Sequence, residues 1–148
     1  MTTKYKSIYI IFFLASLAGL KCKSTQSSAS QKAMYKSMYI DQFKLTYFRQ
    51  ILINGYNNSN AIQEVVSSDH SGFTEPVLTE DDFKLIDSLT IIDNERMKID
   101  SMQDHRRAEG AKGKRPLKYI LEKLNNKWLD SLANKRYKSS GVKELYHD

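Results

Sequence analysis

AMYKSMYIDQFKLTYFRQILINGYN, residues 33–57, is the stretch that decides the fold. Met34, Met38, Phe43, Leu45, Phe48, Ile51, Leu52 and Tyr56 recur in it on a helical period and mark one apolar face. No apolar–polar alternation of useful strand length occurs here or further along the chain. One long amphipathic helix therefore opens the folded part, and Asn57-Asn58-Ser59-Asn60 punctuates its end.

The chain after it repeats the pattern in shorter pieces. Asn60 is expected to cap a short helix over Ala61–Ser67, with Ile62, Val65 and Val66 inward. Residues 68–78 hold Gly72 and Pro76 and read as an ordered loop anchored by Phe73. Thr79 is a good N-cap, and Glu80, Asp81 and Asp82 place negative charge where the helix dipole favours it. The helix they open carries Phe83, Ile86, Leu89, Ile92, Ile99 and Met102, with Asp93-Asn94 as a place for a kink or break. Residues 103–115 (QDHRRAEGAKGKR) contain no large apolar side chain. Pro116 suits the first turn of a last helix, lined by Leu117, Ile120, Leu121, Leu124, Trp128, Leu129 and Leu132. Asn125-Asn126 is a point where it can split, and residues 138–148 read as frayed. The expectation is an all-α, compact bundle of four to six helices within 33–148.

Upstream, the chain reads as an address. Lys4 and Lys6 precede thirteen apolar residues, Ile8 to Leu20. That run is shorter than the roughly 20 residues a bilayer span needs and suits a signal peptide over residues 1–21. Ser16 and Ala18 place small residues before a cleavage point at Gly19. The single cysteine, Cys22, follows the run and precedes a serine-rich stretch, so residues 22–32 read as a flexible tether. Its position suggests lipidation, while Gly19 and Lys21 depart from a lipobox; both states stay open. Either way the expected compartment is the periplasm, and the membrane is reached only through a lipid on Cys22. No intramolecular disulfide is possible with one cysteine.

Charge excludes little. The formal net charge of +6 includes Lys4, Lys6 and Lys21, and removing those three leaves +3. So small an excess on an exported chain argues against a nucleic-acid partner. His70, His105 and His147 are too far apart for a zinc spacing, so no metal or other cofactor is expected. Asp69-His70 with Glu75 reads better as a loop hydrogen-bonding set than as a catalytic one. With no nucleophile–base motif and no phosphate-binding loop, the expected protein is not an enzyme. The one segment that reads as a site is the basic loop, with His105, Arg106, Arg107, Lys112, Lys114 and Arg115 as the partner-binding residues.

Three stretches carry a family resemblance: Ile51-Leu52-Ile53-Asn54-Gly55-Tyr56, the acidic-capped helix from Asp81 to Ile92, and Ile120-Leu121-Glu122-x-Leu124-x-Asn126-Lys127-x-Leu129. In order and spacing they resemble the type VI secretion amidase immunity proteins, over about residues 43–135. The resemblance implies a periplasmic protein, often a homodimer, that blocks the active-site cleft of a cysteine-type peptidoglycan amidase, with residues 104–115 as the inserted element. Many members carry a cysteine in the first and third stretches, where this chain has Ile51 and Ile120. The resemblance thus implies that these two isoleucines pack together. The competing expectation is an envelope lipoprotein with a generic interaction or scaffold role.

Overall fold

The computed structural model describes residues 24–72, 75–103 and 113–140. Five α-helices and no strand occur among them: α1 (Ser24–Gly55), α2 (Asn60–Ser68), α3 (Glu80–Gln103), α4 (Pro116–Asn125) and α5 (Trp128–Ser139). The chain divides into two compact units, Met1–Met34 and Tyr35–Asp148. In the first unit, the described residues belong to the start of α1. The expected flexible tether meets a helix there, because residues 24–32 are already helical. The physical reason is that no Gly or Pro lies between Ser24 and Asn54, and extending an existing helix adds one hydrogen bond per residue fixed. The signal segment and Cys22 lie outside the described residues.

Helix α1 ends in a hydrogen-bonded C-terminal lock. The amide of Asn58 donates to the Ile53 carbonyl at 2.8 Å and that of Asn57 to the Asn54 carbonyl at 3.2 Å. Asn57 and Asn58 sit at φ 55° and 58°, in the left-handed region that Asn tolerates best after Gly. Ser59 stands at the N-cap position of α2, one residue earlier than expected, without a capping side-chain hydrogen bond, and the helix buries no residue fully.

The second unit is built on three rods. Gln50 reaches Asp87 and Asn54 donates to Thr90 at 3.0 Å, so α1 and α3 run parallel. Tyr39 meets Tyr137 with its ring tilted, Lys44 meets Asp130 and Tyr47 meets Trp128, so α5 runs antiparallel to α1. A Cβ added at Gly55 would lie 2.8 Å from Pro116 Cβ, so α4 begins beside the end of α1 and runs back along it. Two parallel neighbours need a return connection, and residues 69–72 and 75–79 belong to it. Arg49 donates to the carbonyls of Asp69 and Ser71, and Gln42 exchanges hydrogen bonds with Glu75 and Val77, fastening that segment along α1.

The core consists of Tyr39, Phe43, Tyr47, Ile51 and Leu52 of α1 with Val77, Ile86, Met97, Ile120, Leu129, Ala133 and Tyr137. Ile51 and Ile120 are both buried in it, one turn inward from the Gly55–Pro116 contact. Several side chains expected inside are not. Met34, Val65, Phe83, Ile92, Ile99, Met102, Leu117, Leu121 and Leu124 are exposed. The buried arc of α1 is Tyr39-Phe43-Tyr47-Ile51, at strict four-residue steps, and the tyrosines take places that the periodicity assigns to Met38, Leu45 and Phe48. Helix α3 runs unbroken through Asp93-Asn94, because the Asp93 side chain is turned into the core and does not compete for backbone groups. The split after Asn125 is present, with Lys127 at φ 54° between α4 and α5.

Candidate partner-binding surface

Two buried carboxylates hold the rods in register. Asp82 stands at the third position of α3 and makes a reciprocal cap with Thr79: the Thr79 amide and hydroxyl donate to it at 3.0 and 2.8 Å, and its own amide donates back to the hydroxyl at 3.3 Å. Arg136 of α5 closes the other oxygen from Nε and an Nη at 3.0 and 2.9 Å. Burial by itself would raise the Asp82 pKa; the hydrogen bonds from Thr79 and Arg136, with the Tyr39 hydroxyl beside them, together outweigh it, and the pKa is lowered. The Tyr39 hydroxyl lies beside this carboxylate without a hydrogen bond of good geometry, and burial followed by the Asp82 charge drives its pKa up.

Asp93 is the second knot. The hydroxyls of Tyr47 and Tyr119 each donate to it at 2.5 Å, and Lys123 and Arg96 stand 3.3 Å away. Burial, then the Asp93 carboxylate, pushes both phenols above the ordinary tyrosine value. Lys123 also lies 4.2 Å from the centre of the Trp128 ring, which meets Tyr47 edge-on at 6.2 Å. These contacts pin the elbow between α4 and α5. Asp93 is 2% exposed and surrounded by satisfied partners, so the cluster is a fastening and not an open site.

The elbow forms one wall of a groove. Its floor is the outer face of α1, Met38, Asp41, Leu45 and Phe48, at three- and four-residue steps. Leu124 stands on the elbow side and Gly72, held by the residue 69–77 connection, on the other. The groove encloses about 520 Å³. That lies in the range of pockets that hold a ligand or a partner's side chains. Gly72 is at φ 71°, and any side chain there would collide with Leu45 at the groove edge. From Leu124 the apolar surface continues along α4 through Leu121 and Leu117, which are 58% and 63% exposed.

Of the residues expected to bind a partner, His105, Arg106, Arg107 and Lys112 lie outside the described residues, as does Cys22. Lys114 is not a surface cation. Its ammonium donates to the side-chain oxygens of Asn57 at 2.6 Å and Asn94 at 3.1 Å, tying α1 to α3, and burial lowers its pKa. A third contact, to the Asn54 carbonyl at 3.4 Å, adds to this tie between the end of α1 and the middle of α3. Arg115 is exposed at the entry to α4 and lines a small cleft of about 130 Å³ with Asp100, Lys118 and Glu122. The groove was missed because Met38, Leu45, Phe48 and Leu124 have the same periodicity as core residues. The four-residue tyrosine steps were the available hint that another arc of α1 is buried.

Among the described residues no group of His, Cys, Asp and Glu is placed to hold a metal ion. No helix among them is long and apolar enough to cross a membrane. No family model, curated protein or solved structure matches the chain.

Proposed function

We propose that this is an exported helical protein that acts by binding another protein, and that the partner is a peptidoglycan amidase of the cysteine-peptidase type whose active-site cleft it blocks. The observation that carries the binding role is the apolar groove on α1 with its continuation over the α4 leucines. A fold that leaves Leu121 and Leu117 exposed and Met38, Leu45 and Phe48 only partly buried forgoes part of a burial worth roughly 1.5–3 kcal/mol each when complete, and contiguous exposure of this kind marks interaction sites. The resemblance over residues 43–135 supplies the identity of the partner. The compartment follows from the proposed signal peptide, with Cys22 as the candidate lipid anchor. Inhibition by occlusion needs no chemistry from this chain, and its affinity should rest on a few buried anchors.

The test is to co-purify the protein with an amidase encoded beside its gene and follow cleavage of peptidoglycan stems. Stoichiometric inhibition is expected. Leu121→Glu and Leu124→Glu on the exposed edge are each expected to weaken it at least tenfold without lowering the melting temperature. Arg115→Glu tests the small cleft in the same assay. Undiminished amidase activity beside the folded protein would refute the inhibitory role.

A further inference from the structure

Helix α5 presents a second surface that the groove leaves unused. Lys127, Ser131, Lys135 and Lys138 lie at four-, four- and three-residue steps and share one exposed face. It is opposite Leu129, Ala133 and Tyr137, which are buried. The only acid between Lys127 and Ser140 is Asp130, which is turned toward Lys44 at 2.6 Å. Among the described residues no carboxylate pairs with Lys127, Lys135 or Lys138.

We propose that the outer face of α5 docks on an anionic phospholipid surface, with the three lysines at lipid phosphates. The choice of lipid over an acidic protein rests on side-chain type. Protein interfaces are enriched in Arg and aromatic residues and depleted in Lys. Here Arg136 is committed to Asp82, and Tyr137 is buried. What remains outward on this face of α5 is Lys and Ser, which carry charge without a shape to match. A row of lysines about 16 Å long suits a plane of headgroups, which attracts charge and does not demand registry. This docking does not depend on the amidase reading. It adds a protein-borne membrane contact to any lipid on Cys22, and two weak attachments together give stable anchoring where one does not.

Trp128, the only tryptophan, sits beside Lys127 and reports α5 directly. The full chain is mixed with vesicles of equimolar phosphatidylglycerol and phosphatidylcholine, or of phosphatidylcholine alone, each carrying brominated acyl chains. The apolar run Ile8–Leu20 can bind either vesicle, so the readout is quenching of Trp128 and not sedimentation. Quenching is expected on the anionic vesicles only, and it should fade as salt is raised. Lys127→Asn, Lys135→Gln and Lys138→Gln combined should weaken the docking about fivefold per lysine, on the order of a hundredfold in all, at unchanged melting temperature. Asn is chosen at 127 because the backbone there is left-handed. Equal quenching in the triple variant overturns the proposal, as does a wild-type chain unquenched on anionic vesicles. A chain that ignores vesicles but binds polyglutamate through these lysines also overturns it, in favour of an acidic protein face.

Discussion

A carboxylate taken out of water costs several kcal/mol unless its neighbours replace the lost hydration. Asp82 meets that condition with a backbone amide, a hydroxyl and a guanidinium. Its lowered pKa has a definite consequence for stability. The folded protein holds the ionised form more firmly than the unfolded chain, whose value is near 3.8. The contribution is therefore complete above about pH 5 and is lost as pH falls below 4. Asp82→Asn is expected to destabilise the protein at pH 7 and to flatten the acid side of a stability-against-pH curve. Chemical denaturation from pH 3 to 7 measures this, and an unchanged acid slope would show that Asp82 does not govern it. The sequence marks Asp82 as one of three acids in a helix's first turn. Its place three residues after Thr79 is the local capping signal that separates it from Glu80 and Asp81; Arg136, 54 residues away, is the partner that no local pattern shows.

At the scale of elements, Gly55 shows how a helix end sets the position of a neighbour. An added Cβ would stand 2.8 Å from Pro116 Cβ and 3.0 Å from its Cγ. The proline ring is rigid and sits at the buried start of α4, so the helices must separate. Gly55→Ala is expected to destabilise by about 1–3 kcal/mol. This outweighs the helix-propensity gain of about 1 kcal/mol that the same change brings at an unconstrained site. Urea denaturation distinguishes the two, since a stabilised variant would mean that Pro116 yields. Most element boundaries were legible in the sequence. Thr79, Pro116 and the Asn57–Asn60 cluster act within a turn of their own position, so their chemistry reads without tertiary knowledge. The uninterrupted course of α3 at Asp93 did not, because Tyr47 and Tyr119 reach that carboxylate from other helices.

Across the whole molecule, the fold leaves uncovered apolar area on more than one side. Ile86 is fully buried in α3, whereas Ile99 of the same helix is 51% exposed. Ile86→Ala should cost roughly 2–5 kcal/mol, while Ile99→Ala should stay within about 0.5 kcal/mol. Thermal and urea denaturation of the pair read this contrast, and comparable losses would mean that the outer face of α3 is covered in solution. The same comparison at Leu124 separates a groove residue from a core one.

The residue pattern alone was enough for the all-α class, the number of helices within its range, the Thr79 cap of α3 and the break between α4 and α5. These depend on backbone chemistry acting over three or four residues. Which arc of each helix faces inward was decided by the tertiary arrangement. Helix α1 is apolar over much of its circumference and meets α3, the α4–α5 arm and the returning connection on different sides. Periodicity gives the spacing of an apolar stripe and not its partner. The inward choice of Tyr39 and Tyr47, with Leu45 and Phe48 left to a groove, follows from where the other helices supply Asp82, Asp93 and Tyr137.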